Sequence, residues 1–390
     1  MKSVRQIKNL TGKKVLVRVD FNVSIHKGKV VSDYKLSRSL PTIEYLLNQG
    51  ARVVLVSHLG RPNGIDSKHS LKPVVHRLED LLQRKVKLLP ITKGQDWRNT
   101  QAAVSAMPNG SVAMLENIRF LKDEETEGQH LSKVLASLCD IFVLDGFAVA
   151  HRRAASVSGV AKYVPSYAGL LLFEEITVLS NVLRRPKRPL LVMLGGAKAE
   201  TKIPVLKKLL PIADYILVGG GIFNTYLASL KKPIGKSIYS KGLEKEVKRY
   251  CENRKVILPV DVIVGDAKGN KVRVVKVSEL SVGKNEAIYD IGPESVHLFA
   301  KYLKKAKTLV WNGALGMFEQ HPYQYGTFSL ARLFAARSKG HALGVCGGGE
   351  TVQILEKIRA MTDIDLVSTG GGAMLEFLSG DKLPGLKALK

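Results

Sequence analysis

The sequence predicts an α/β protein of two domains, each built on a doubly wound parallel sheet, and three observations carry that prediction. Runs of strand character alternate with helical runs along the chain, the pattern of repeated βα units. In the second half, four apolar runs (Leu191–Gly196, Ile216–Gly221, Leu343–Gly349 and Leu366–Gly372) end in glycines. The length of 390 residues exceeds what one ordinary core organises.

In order, Lys14–Asn22 is a β-rich run, Ser39–Asn48 is helical, Arg52–Ser57 is a buried strand and Leu71–Leu82 is helical again. Val112–Glu116 and Ile141–Asp145 are predicted strands around a helix over Gln129–Leu138. Tyr167–Leu183 has the apolar spacing of a long helix, which the Arg184-Arg185-Pro186-Lys187-Arg188-Pro189 run breaks. A second βα series follows from Leu190 to about Gly372, and Gly380–Lys390 is a terminal arm without a strand. The predicted layout is a first domain over 1–166, a linker helix over 167–185, a second domain over 186–379 and the arm over 380–390.

Hydrophobic residues make up 45% of the chain, and no apolar run reaches the roughly 18 residues of a membrane span. Met1–Leu10 lacks the apolar segment of a signal peptide, and Cys139, Cys251 and Cys346 are odd in number and far apart. A cytoplasmic location is therefore expected. The formal charge of +26 permits nucleic-acid binding or a basic surface over an enzyme of anionic substrates. Because the lysines are dispersed through segments such as Lys241–Lys255 and Pro293–Lys307, and no RNA-binding motif or zinc finger occurs, nucleic acid is not an expected partner.

The stretch Leu343–Thr351 reads as strand, glycine turn and helix, with Val352, Leu355 and Ile358 on one helical face. Glycines let the backbone approach a ligand, and the amino end of the helix aims unpaired N–H groups and its positive dipole end at one point, which suits a phosphate. In an open parallel sheet ligands bind beyond the carboxyl ends of the strands, where these glycines lie. The familiar nucleotide signatures fail: Leu230 stands where a P-loop ending at Gly235-Lys236-Ser237 needs glycine, no G-x-G-x-x-G follows a strand, and His151-Arg152-Arg153 lacks the kinase aspartate.

In the first half, short polar stretches close the strands: Arg18-Val-Asp20-Phe21-Asn22, Ser57-His58-Leu59-Gly60-Arg61-Pro62, Glu116-Asn-Ile-Arg119-Phe120 and His151-Arg152. Alone, each has a plain structural explanation as a solvated cation or a packed histidine. Together they bring six basic side chains to one sheet edge, an arrangement that is unfavourable unless an anion joins them. A small, highly anionic substrate is the simplest reading.

These segments, with Gly195-Gly-Ala-Lys198, Trp311-Asn312-Gly313, Gly347–Thr351 and Ser368–Ala373, occur in the order and spacing of the phosphoglycerate kinase family, which the sequence resembles along essentially its whole length. The resemblance implies two Rossmann-like domains joined by a hinge helix, with the arm returning to the first. It implies 3-phosphoglycerate or 1,3-bisphosphoglycerate on the first domain and ADP or ATP with Mg2+ on the second, in a monomer. Carried over by position, Asp20, Phe21, Asn22, Lys35, His58, Leu59, Gly60, Arg61, Arg119 and Arg152 hold the phosphoglycerate. Gly195, Lys198, Lys202, Gly219, Gly220, Asn312, Glu319, Gly347, Gly348, Gly349, Glu350 and Thr351 hold the nucleotide, with Glu350 toward the metal. Lys35, Lys202, Gly348 and Gly349 are the implied catalytic positions.

Lys35 stands where the family carries an arginine, Glu350 where it carries an aspartate, and Ala154 where a histidine is common, with Arg153 beside it. Ser24 and Ala314 replace prolines, and Thr201 precedes Lys202 in place of a small or acidic residue. Lysine keeps the charge of arginine without its planar fork. The alternative to an active enzyme is thus a related nucleotide-binding protein of reduced activity.

Overall fold

A computed structural model of the chain describes residues 1–91 and 96–389 and divides into two compact units, Met1–Thr177 with Lys382–Lys390, and Val178–Asp381. Both are doubly wound, and each gathers its polar strand-end segments along one edge.

The first unit contains β1 (Lys14–Arg18), the small hairpin β2 (Ile25–His26) and β3 (Lys29–Val30), α1 (Tyr34–Asn48), β4 (Arg52–Val56), α2 (Lys72–Leu82) and β5 (Val86–Leu89). It continues with α3 (Asp96–Ser105), β6 (Val112–Leu115), α4 (Gln129–Ser137), β7 (Ile141–Leu144), β8 (Ser166–Ala168) and the start of α5 (Leu170–Arg184). Six strands pair in parallel in the order β5-β6-β4-β1-β7-β8. Val15, Leu16, Val17 and Val53–Val56 are all fully buried. That is expected of central parallel strands covered on both faces, each such side chain contributing about 1.5–3 kcal/mol.

Three local differences from the sequence reading have clear causes. β1 ends at Arg18, because Asp20–Asn22 turn away to build the site. Tyr167 lies in a strand and not in the long helix: Ser166–Ala168 pair with Phe142–Leu144 as an edge strand. The helix begins only after Gly169, where a Cβ would lie 2.0 Å from Asp145 Oδ1. Leu171 N–H then donates to that carboxylate oxygen at 3.1 Å and Leu170 N–H to Thr42 Oγ1 at 2.9 Å, which starts α5 with its first donors satisfied. Finally, β5 and α3 have no counterpart in the sequence reading, since β5 is four residues long with a lysine inside it and α3 is mostly polar.

The second unit contains the rest of α5, β9 (Leu190–Leu194), α6 (Ile203–Leu209), β10 (Tyr215–Val218), α7 (Gly220–Ser229), α8 (Glu244–Cys251), β11 (Val256–Ile257), β12 (Asp261–Gly265), β13 (Arg273–Lys276) and β14 (Ala287–Ile291). It is completed by α9 (Pro293–Lys305), β15 (Thr308–Asn312), α10 (Tyr325–Ser338), β16 (Leu343–Gly347), α11 (Gly349–Lys357), β17 (Leu366–Ser368) and α12 (Gly371–Ser379). Its main sheet runs β11-β10-β9-β15-β16-β17, parallel throughout. A three-stranded antiparallel sheet, β13-β12-β14, stands beside it and interrupts the expected βα series. Its first turn is set by Asp266, whose Oδ1 accepts the N–H groups of Lys268 and Asn270 at 2.9 Å each.

The closing segment belongs to the first unit and is partly helical, α13 (Pro384–Ala388). Gly385 N–H donates to the Ala150 carbonyl at 2.8 Å, while Leu383 and Leu389 are buried. A Cβ at Gly385 would come within 3.0 Å of Ala150, so glycine permits the close approach. Among the described residues no helix is long and apolar enough to cross a membrane.

Candidate active site

On the first unit, the carboxyl ends of β1, β4, β6 and β7 bring the basic segments together. Arg18, the last residue of β1, is only 2% exposed; its guanidinium donates to the carbonyls of Val19 at 2.7 Å and Val56 at 3.3 Å. It also meets His58 Nδ1 at 3.2 Å. Because arginine can only donate, that ring nitrogen accepts and the proton of neutral His58 sits on Nε2. Burial, reinforced by Arg18, pushes the imidazole down to about 2, so His58 is a neutral ligand at physiological pH.

Asp20 lies beside this pair. Burial would push its carboxyl up, but Lys35, His58 and Arg18 outweigh that effect and hold it below the usual carboxylate range. Lys35, in the first turn of α1, donates to Asp20 Oδ2 at 2.6 Å and to the Asn22 carbonyl at 3.2 Å. Asn22 Oδ1 in turn accepts Gly60 N–H at 2.9 Å, which ties the β1 loop to the β4 loop. The Phe21 and Leu59 side chains are buried in the core; Phe21 N–H donates to Ser57 Oγ at 2.9 Å, and the N–H and carbonyl of Leu59 are both bonded to the Asn117 side chain, so these two positions shape the site from behind.

Asn117, which the sequence reading passed over, fastens three loops. Its side chain accepts from the N–H groups of Leu59 and Arg119 and donates to the carbonyls of Leu59 and His69. Arg119 is thereby aimed inward: it donates to the Gly60 carbonyl at 2.6 Å and reaches Glu125 Oε1 at 3.3 Å, while Arg152 comes within 3.7 Å of the same oxygen. Arg18, Arg119, Arg152 and Arg153 line one cavity with Glu124 and Glu125. Arg61 is exposed at its loop and adds its charge to that felt by Arg119.

The neutral state of His58 has a measurable consequence. Below pH 6.5 an unfolded histidine takes up a proton that the folded one refuses, so its contribution to stability is lost as pH falls, by about 1.4 kcal/mol per pH unit. Asp145 and Asp290, both raised to about 7 by burial, act in the opposite sense, because the folded chain holds protons there that the unfolded chain releases. The difference between wild type and His58→Gln isolates the imidazole. That difference should shift by about 2 kcal/mol between pH 6.5 and 5 in equilibrium urea unfolding, against the wild type at the lower pH. A constant difference would mean that the folded imidazole takes up its proton over the same pH range as the unfolded one.

On the second unit two cavities share Gly196, Ala197 and Glu350. The polar one is edged by Lys198, Lys202, Asn312, Gly348, Gly349 and Gly371, so the amino ends of α11 and α12 open into it. Gly348 takes φ +101 at that point, and a Cβ there would lie 3.0 Å from Asn312 Nδ2. Burial pushes the Lys202 ammonium down, and the Glu350 carboxylate opposes that shift.

The other cavity is an apolar slot. Gly220, Glu319 and Glu350 reach it as the sequence reading placed them, but its walls are Ile238, Ile288, Tyr289, Met317 and Phe318, none of which carries a motif. The only available signal was the β character of Ala287–Ile291, which becomes β14. Gly195, Gly219, Gly347 and Thr351 line neither cavity. They stand behind them: a Cβ on Gly195 would lie 2.1 Å from the Ala314 carbonyl, and Thr351 Oγ1 accepts Gly313 N–H at 2.8 Å.

An apolar slot opening into a lysine- and glycine-edged pocket, with a guanidinium-rich cavity on the other unit, is the arrangement expected of a phosphotransferase. The family model for phosphoglycerate kinase matches residues 4–381. The phosphoglycerate kinase of Pelotomaculum thermopropionicum is 42% identical over 396 residues, covering 100% of this chain and 98% of that protein. Among solved structures, phosphoglycerate kinase from Coxiella burnetii superposes with a TM-score of 0.86 at 39% identity, covering 99% of this chain and 98% of that one. The enzyme from Pyrococcus horikoshii OT3 gives 0.86 at 31% identity, covering 100% and 98%. The chain belongs to the phosphoglycerate kinase family.

Proposed function

We infer that the protein catalyses reversible phosphoryl transfer between 1,3-bisphosphoglycerate with ADP and 3-phosphoglycerate with ATP, the first unit holding the phosphoglycerate and the second the nucleotide. The observation that carries the reading is the pair of adjoining cavities on the second unit, one apolar and one edged by Lys198, Lys202 and two helix amino ends. No general base is required: the attacking carboxylate or ADP phosphate is already ionised at neutral pH. What the reaction needs is alignment and cancellation of charge on the moving group.

Arg119 and Arg152 orient the phosphoglycerate, His58 accepts or donates without changing charge, and Lys35 supplies a cation close to Asp20. Lys202 accompanies the phosphoryl group, and the N–H groups of Gly348 and Gly349 receive its oxygens. The residues also fit a magnesium ion carried in on the nucleotide. Glu350 Oε2 already faces the cavity, accepting Ala314 N–H at 3.1 Å, and magnesium ordinarily takes one or two carboxylates beside substrate phosphates. Bound there, it would neutralise phosphate charge.

Substrates held on separate units must be brought together, so we expect hinge closure that excludes water, with reopening or product release limiting turnover. We place the protein in the cytoplasm as a monomer, in keeping with its three buried, unpaired cysteines. No relative or structural neighbour supports the reduced-activity alternative. A coupled assay with MgATP and 3-phosphoglycerate, run beside Lys35→Arg, decides between the two. The wild type should turn over robustly, with the arginine variant within about tenfold, since both side chains deliver the cation. A silent wild type rescued by arginine would establish the reduced-activity reading, and two silent proteins would refute phosphoryl transfer.

A further inference from the structure

Some basic residues that are far apart in the sequence are gathered by the fold. At the amino-terminal edge of the second unit's main sheet, the segments entering β9, β15 and β16 are bonded into one surface. Lys307 N–H donates to the Pro189 carbonyl at 2.9 Å, Thr308 Oγ1 to the Lys187 carbonyl at 2.7 Å, and Leu343 N–H to the Lys307 carbonyl at 2.9 Å. These segments carry Arg184, Arg185, Lys187, Arg188, Lys304, Lys305, Lys307 and Lys339, all exposed. Two acidic side chains nearby are already taken: Asp214 by Arg188 at 2.6 Å and Asp363 by Lys339 at 3.3 Å. The other six cations form no ion pair among the described residues.

We propose that this edge is a docking track for the phosphate backbone of nucleic acid, separate from the phosphotransferase site and independent of that reading. β9 and β15 are neighbours, as are β15 and β16, so three strands at roughly 4.8 Å spacing span roughly 10 Å of edge. The three segments entering these strands carry all six unpaired cations. Gathering like charges this closely is unfavourable without a polyanion to neutralise them. The strands themselves, five residues long or roughly 16 Å, separate the track from the glycine turns at their other ends, so both can be occupied at once. None of the large exposed apolar side chains lies on these segments, so nothing here inserts into a lipid bilayer, and recognition rests on charge alone. Such binding is independent of base sequence.

The test is fluorescence anisotropy of a labelled single-stranded oligonucleotide across about 50–200 mM salt. The full-length wild type is compared with the triple variant Lys304→Gln, Lys305→Gln, Lys307→Gln and with a control of equal charge, Lys245→Gln, Lys268→Gln, Lys276→Gln, whose three lysines are exposed elsewhere on the same unit. The edge variant should bind at least about tenfold more weakly and lose about 2 from the slope of log K against log salt, three contacts at about 0.7 each, with the control close to wild type. Retained phosphoryl transfer and an unchanged urea midpoint certify that the edge variant is folded. Equal losses in both variants would overturn the proposal in favour of diffuse attraction to the whole surface. So would tighter binding to phosphatidylglycerol vesicles than to the oligonucleotide, or no measurable wild-type binding at about 100 mM salt.

Discussion

Lys202→Ala should lower kcat by about 10³-fold or more while leaving the fold intact, because cationic groups on a transferring phosphoryl are worth that much in rate. Lys202 lies at the entry to α6 and lines the same cavity as Glu350 and the amino ends of α11 and α12. Among the described residues the cavity's other cation is the more exposed Lys198, and its remaining donors are neutral amides and the Thr201 hydroxyl. On the proposed assignment the phosphoglycerate binds the other unit, and KM for 3-phosphoglycerate should therefore change little. Steady-state rates of the wild type and variant, with circular dichroism as the folding control, decide the matter. A loss below about tenfold would mean that charge at Lys202 is not used in the transition state.

Arg119→Ala should show the opposite split, raising KM for phosphoglycerate by about 100-fold, the equivalent of one or two charge-assisted hydrogen bonds, with nucleotide affinity unchanged. The side chain is 7% exposed and already committed in two directions, to the Gly60 carbonyl and to Glu125. Its loss removes a substrate cation and also frees Glu125 to present negative charge to an incoming anion. Arg119→Lys should recover little of the affinity, since a single ammonium cannot serve both partners of the fork. If the lysine variant matched the wild type, Arg119 would be acting as bulk positive charge and not as a positioned ligand.

Much of this site was legible because its chemistry is concentrated at strand ends, where sequence period and residue type change together. Asp20, His58, Arg119 and Arg152 each lie in the polar segment that follows an apolar strand, and the parallel order of those strands brings the segments to one edge. What escaped notice depends on contacts between segments far apart in the chain. Asn117 reads as an ordinary polar residue until the β4 and β6 loops are side by side, and Glu125 reads as one of several acids in an acidic stretch. The apolar slot draws on six separate segments, one of them in a sheet that the βα pattern gave no reason to expect. The basic edge is the same case in reverse, since residues as far apart as Lys187 and Thr308, 121 positions, become neighbours only through β9, β15 and β16.

The return of the last residues to the first unit also has a consequence for how the chain is made. Ala150 waits for Gly385, and the ground that Leu383 and Leu389 cover stays bare, until nearly all of the second unit has been translated. A ribosome releases the second unit's sheet complete before the first unit has its final helix. The order of synthesis and the order of completion are therefore reversed, and a chain stalled near position 381 would carry a finished second unit and an unsealed first one.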